Sequence, residues 1–158
     1  MIKLSRTDSK NADFKALVVA LNAELAVRDG DDHGFYMQFN GIDDLNHTIV
    51  IYVDNTPAAC GAMKDFNDSA MEIKRMFTAP LFRHQGLAGK VLVALEYWAE
   101  ELGFRYCVLE TGKRQYEAVS LYKKWGYDII PNYGPYEGVQ NSLCFQKELN
   151  KTTIKNES

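Results

Sequence analysis

Between Ala70 and Leu109 the chain spells a strand, a glycine-bearing turn, a long amphipathic helix and a second strand, and no other segment limits the fold as much. Ala70 to Thr78 reads as a strand, and Pro80 stops it. Leu87, Val91, Leu92, Leu95, Trp98 and Leu102 then recur at helical spacing on one stripe, with Gly103 as a C-terminal stop. Tyr106 to Leu109 (YCVL) is a short buried strand. This strand–helix–strand passage implies a parallel pair with a right-handed crossover.

The rest of the chain supplies antiparallel neighbours for that pair. Residues 2–6 alternate apolar and polar, as a first strand does. Asp8 or Ser9 is placed to cap a helix whose apolar face is Phe14, Leu17, Val18, Leu21 and Leu25, ending at Asp29-Gly30. Phe35 to Phe39 suggests one or two further helical turns. Thr48–Val53 is a strand, Asp54-Asn55-Thr56-Pro57 its turn, and Ala58–Lys64 the next strand, with a polar turn at Asn67-Asp68-Ser69. Gln115–Trp125 is a helix stopped by Gly126, and a Pro- and Gly-bearing loop, Pro131 to Gly138, precedes a last strand at Ser142–Phe145. The order expected is β-α-α-β-β-β-α-β-α-β-β: an α/β (α+β) fold with a mixed, mostly antiparallel sheet. One domain is expected over residues 1–149, with a polar tail at 150–158.

Composition removes several function classes. A net charge of −3 gives no bulk attraction to nucleic acid or an anionic membrane. Cys60, Cys107 and Cys144 are far apart and sit in apolar stretches, and the three histidines are scattered, so neither disulfides nor a metal site is expected. No stretch approaches the length of a membrane span and the first residues lack a signal peptide's apolar core, so the expected location is cytoplasmic. A homodimer is left open.

The turn before the long helix carries the chemistry. Arg83-His84-Gln85-Gly86-Leu87-Ala88-Gly89 has little side-chain bulk where the helix begins, so unpaired amides at the positive end of the helix dipole face outward. Such a turn suits phosphate oxygens, and Arg83 adds a fixed positive charge. Neither G-x-x-x-x-G-K-[ST] nor G-x-G-x-x-G is present.

Arg83-x-x-Gly86-x-Ala88 resembles the Q/R-x-x-G-x-G/A signature of the GNAT superfamily of N-acetyltransferases, in its expected place between a strand and a long helix. Glu72-Ile73-Lys74-Arg75-Met76-Phe77 is similar to the family's fourth strand. Gln115-x-x-Ala118-x-x-Leu121-Tyr122-x-x-Trp125-Gly126-Tyr127 is similar to N-x-x-A-x-x-L-Y-x-x-x-G-F of the following helix, with Gln115 in place of the commoner Asn. The resemblance covers about residues 2–149, and it implies a splayed parallel strand pair with acetyl-CoA as co-substrate. Backbone groups of Met76, Phe77 and Thr78 would hold the pantetheine arm. Arg83, His84, Gln85, Gly86, Leu87, Ala88 and Gly89 would hold the pyrophosphate, and Gln115 and Tyr122 would face the cofactor from the other side.

Acetyl transfer to an amine needs a base for the ammonium, a stabilised oxyanion and a proton for the leaving thiolate. Glu72 sits where the resemblance places the base, and Glu110 is the rival carboxylate. Tyr122, a phenol with an ordinary pKa near 10, is the candidate acid, and the Met76 amide the candidate oxyanion donor. No cysteine has a sequence partner that would mark a nucleophile. Acceptor contacts are expected from Asp29, Asp31 and Asp32 within an acidic segment that includes Asp43 and Asp44, and from Tyr133, Tyr136 and Glu137. Carboxylates with aromatics suit a cationic small amine or peptide amine, although charge clusters are also what a solvated loop carries. Two alternatives stand beside this reading: a non-catalytic acyl-CoA-binding module, and a transferase for another acyl group.

Overall fold

A computed structural model describes residues 1–30 and 45–149, apart from the Asp29 side chain. The second helix expected at residues 35–39, the candidates Asp31, Asp32, Asp43 and Asp44, and the polar tail lie outside the described residues. The elements are β1 (Ile2–Thr7), α1 (Ala12–Asp29), β2 (His47–Val53), β3 (Thr56–Asn67), β4 (Ala70–Thr78), α2 (Leu87–Glu101), β5 (Tyr106–Gly112), α3 (Tyr116–Lys124), β6 (Asp128–Ile130) and β7 (Ser142–Glu148). The sheet order is β1-β2-β3-β4-β5-β7-β6, the mixed α/β arrangement expected. The parallel pair is β4 with β5, in register from Ala70↔Tyr106 to Ile73↔Leu109. The chain divides into two compact units, residues 1–64 with 74–95 and residues 65–73 with 96–158.

In the first unit β1, β2 and β3 form an antiparallel meander. Asp54 and Asn55 take φ of 48° and 69°, the left-handed pair that a tight two-residue hairpin requires, so Thr56 and Pro57 already belong to β3 rather than to the turn. Pro57 opposes Tyr52 while Ala59 opposes Ile51, which leaves Ala58 as an extra residue in β3. Phe14, Leu17, Val18 and Leu21 of α1 pack with Leu45, Val50, Cys60, Ala62 and Phe77, the apolar face that the spacing predicts. The helix cap differs. Asn11, not Asp8 or Ser9, accepts the Phe14 amide at 2.9 Å, because the Asp8 carboxylate is occupied by the amide of Lys10 in a turn of its own. Gly61 is where β3 comes close to its neighbours: a Cβ there would lie 2.5 Å from Met76 Sδ and 2.7 Å from Val91 Cγ1.

In the second unit β5 pairs with β7 from Tyr106↔Glu148 to Gly112↔Ser142, and β6 covers the outer edge of β7. Buried Glu96 accepts from Tyr127 Oη at 2.8 Å and from Lys147 Nζ at 2.9 Å, a paired charge network joining α2 to the later elements. Along α2, Leu87, Val91, Leu92, Leu95 and Ala99 are buried but Leu102 is exposed. The helix has ended at Glu101, and the amides of Gly103 and Phe104 bond back to Glu100 and Ala99.

Candidate functional site

The first unit carries a turn whose amides lack backbone partners among the described residues. His84 and Gly86 take φ of 65° and 78°, left-handed backbone of the kind that anion-binding turns use. The first backbone bond of α2 runs from the Lys90 amide to Gly86 O, and the amides of His84 through Gly89 meet no backbone carbonyl among the described residues. A Cβ on Gly86 would meet no atom within 4 Å, so the turn opens onto space. Sparing side chains and left-handed backbone together make a cradle that fits a diphosphate.

Arg83 is not aimed from that cradle as a bare cation. Its Nε donates to Thr78 O at 2.9 Å, one Nη donates to Glu24 Oε2 on α1 at 2.6 Å, and the guanidinium lies over the Phe77 ring at 5.7 Å. It ties the turn to the end of β4 and to α1. Nothing in the spacing of Glu24 from Arg83 marks the two as partners, so sequence reading missed the tie.

Four residues beyond Ala70 the pairing of β4 with β5 has ended, while β4 continues to Thr78. At that point Arg75 takes φ 59°. Left-handed backbone at a residue with a long side chain costs about 1–2 kcal/mol and persists only where contacts hold it. Here the buried guanidinium donates to Asn22 Oδ1 of α1, and Arg75 O accepts from the Cys60 thiol at 3.4 Å. The kink precedes Met76, Phe77 and Thr78, of which Phe77 is core and Met76 and Thr78 are half-buried.

The second unit, taken by itself, carries two carboxylates. Glu72 stands opposite Val108, and Glu110 lies two residues along β5, so the two share one face of the strand pair. Glu72 is 7% exposed, and its Oε2 accepts from Tyr133 Oη at 2.8 Å. Glu110 accepts from Ser142 Oγ at 2.8 Å. Tyr133, expected as an acceptor contact, is thus brought to the base candidate itself. Burial, then the charge of Glu72 and the bond to it, holds its phenol well above the usual tyrosine range. Tyr136 is buried beside it with ring centroids 6.0 Å apart, and Glu137 is exposed.

Tyr122 is the buried residue of α3, its ring 5.9 Å from Tyr127 and 5.8 Å from Phe145. Phe145 alternates with Cys144, the partner of Glu110, so the Tyr122 ring packs on the face opposite the carboxylates. Its hydroxyl makes no hydrogen bond among the described residues. Burial and then the charge of Glu110 push its phenol above the ordinary value, so the proton is held more tightly than a pKa near 10 implies. Gln115 caps α3 with its backbone only, leaving its side-chain amide without a hydrogen bond among the described residues.

The thiols are unlike nucleophiles. Burial pushes Cys60 and Cys107 up to about 12 and Cys144 up to about 11. Among the described residues no group of His, Cys, Asp and Glu is arranged to hold a metal, and no helix is long and apolar enough to cross a membrane.

The profile of the acetyltransferase (GNAT) family matches residues 14–127. An IAA acetyltransferase of Azospirillum brasilense is 34% identical over 95 residues, 60% of this chain and 62% of that protein. The match thus spans less than two thirds of that relative. A candidate acyl-CoA N-acyltransferase from Klebsiella pneumoniae superposes with a TM-score of 0.79 at 27% identity, covering 94% of this chain and 98% of the other. A GNAT family acetyltransferase from Elizabethkingia anophelis, solved with acetyl-CoA bound, has a TM-score of 0.65 at 17% identity, covering 94% and 98%. At that identity the likeness is one of fold.

Proposed function

We propose, from the premise that this chain belongs to the acetyltransferase (GNAT) family, that it transfers an acetyl group from acetyl-CoA to a primary amine by direct attack, without an acyl-enzyme. The observation that carries the reading is the run of amides from His84 to Gly89 that meet no backbone carbonyl among the described residues, with left-handed backbone at His84 and Gly86. That arrangement suits the diphosphate of a coenzyme A, and Met76, Phe77 and Thr78 supply backbone groups for its pantetheine arm. Arg83 acts by bracing the turn through Glu24 and Thr78.

The bound cofactor supplies an activated acyl thioester; the chain supplies position and protons. Glu72 takes a proton from the acceptor's ammonium, directly or through water, so that a neutral amine attacks. The Met76 amide, just past the kink at Arg75, donates to the oxygen where negative charge gathers. Tyr122 Oη carries a proton that burial keeps in place, and it donates a hydrogen bond to the departing sulfur. Because its proton is tightly held, hydrogen bonding leads and transfer follows as charge develops. Tyr136 and Glu137, aromatic and anionic, favour a cationic amine as acceptor.

Two measurements test this. Titration calorimetry with coenzyme A should show a single binding event, and absence of any heat or of competition by acetyl-CoA refutes the reading. Thiol release should then follow addition of acetyl-CoA with spermidine, L-lysine, kanamycin or a lysine-containing peptide. Binding without release against the whole panel would make the chain a binding module instead.

A further inference from the structure

We infer that Tyr133 is a positioning residue for this reaction: through its hydrogen bond to Glu72 Oε2 it fixes the plane of the carboxylate that receives the acceptor's proton. The inference rests on the reading of Glu72 as the base. Its own ground is the way the 131–141 loop is built around that one contact.

Tyr133 opens the 3-10 turn Gly134–Tyr136, and its carbonyl accepts the Tyr136 amide at 3.0 Å. Next to it, the Asn132 side chain donates to Val139 O at 3.2 Å and to Ser142 O at 3.1 Å, so one amide closes the loop across its base. The Lys113 amide bonds Asn141 O at 2.7 Å and pins the far end to the end of β5. The Tyr133 ring meets Phe66 edge-on at 4.7 Å and Tyr136 at 6.0 Å. These contacts leave the phenol little freedom, and its hydroxyl reaches Glu72 at 2.8 Å. Rotation about the last bond of a carboxylate turns its lone pairs toward or away from an incoming amine, so the direction of each hydrogen bond it accepts bears on its use as a base. A neutral donor held from the side selects one direction without taking the proton itself. The pairing also explains why an aromatic loop residue is spent on the sheet rather than on solvent.

The test uses the full chain with acetyl-CoA and the fastest amine of the panel above. Wild type, Tyr133→Phe, Glu72→Gln and the double variant are compared for kcat, for both KM values and for thermal midpoint. Phenylalanine keeps both ring contacts, so the chain should stay folded, with the midpoint lowered by a few degrees for the hydrogen bond lost to buried Glu72. Expected is a five- to tenfold fall in kcat for Tyr133→Phe with the KM for acetyl-CoA unchanged. In the Glu72→Gln background the same change should cost nothing further, because there is no base left to orient. An equal fold-loss in both backgrounds, or a Tyr133→Phe enzyme with wild-type kcat, overturns the inference while acetyl transfer stands. If Tyr133→Phe unfolds, Asn132→Ala replaces it, since loosening the loop must give the same dependence on Glu72. A wild-type chain that binds coenzyme A yet acetylates no amine overturns the acetyl-transfer reading, and this inference with it.

Discussion

Replacing Tyr122 by phenylalanine removes one oxygen and leaves the ring against Tyr127 and Phe145. That oxygen belongs to a residue 5% exposed and makes no hydrogen bond among the described residues. A hydroxyl with no protein partner adds little to the fold, and this one is not among the fully enclosed polar atoms left unsatisfied. Tyr122→Phe should therefore be neutral or up to about 1 kcal/mol more stable. At roughly 2–4 °C per kcal/mol for a chain of this size, the thermal midpoint should stay or rise by a few degrees. The reaction should move the other way. Loss of the hydrogen bond to the departing sulfur should lower kcat at least tenfold, about 1.4 kcal/mol of barrier, with the KM for acetyl-CoA little changed. A thiol-reactive dye follows the turnover, and the chain's own buried thiols add little background. A kcat within twofold of wild type returns Tyr122 to the core. A midpoint that falls together with kcat would equally refute the argument, by making the loss structural.

Arg83→Ala should raise the KM for acetyl-CoA with kcat little changed, and if Arg83 acts as a brace, Glu24→Gln should raise it too. If Arg83 contacts phosphate directly, freeing it by Glu24→Gln should leave that KM unchanged or lower it. Native-state labelling of Cys60, Cys107 and Cys144 by a thiol reagent at pH 8 should be slow and become fast in denaturant, and Cys144→Ser should keep acetyl transfer. Denaturation across pH gives the matching sign. Cys60 and Cys107 keep their protons in the folded chain up to about 12, while the unfolded thiols release theirs near 9. These groups therefore leave stability flat below pH 9 and lower it between pH 9 and 12, where the unfolded state binds fewer protons. Glu96→Ala should cost about 3–5 kcal/mol in chemical denaturation, because Lys147 and Tyr127 lose their buried partner.

The helix faces and the parallel pair were legible because they depend on spacing alone. Phe14, Leu17, Val18 and Leu21 could only form one stripe, and the short strand–helix–strand passage from 70 to 109 is the pattern of a right-handed parallel crossover. The glycine-bearing turn before α2 was legible for a similar reason, since Gly86, Ala88 and Gly89 act through their lack of side chain. The Asn11 cap was missed because Asp8, Ser9 and Asn11 all satisfy the same local preference. The choice fell to whichever carboxylate or amide was not already engaged nearby.

The pattern of apolar residues and small turn residues thus decided by itself the core faces and the order of the described elements, while the motifs at Arg83–Ala88 and Gln115–Tyr127 carried the resemblance to the family. What each polar side chain does was decided only by tertiary structure. Arg83 finds Glu24, Glu72 finds Tyr133, Glu110 finds Ser142, and Arg75 is held in left-handed backbone by contacts that include Asn22. Apolar burial is non-directional, so its signal is written in periodicity. A hydrogen bond depends on two atoms meeting within a few tenths of an ångström, and residues tens of positions apart carry no local mark of that meeting.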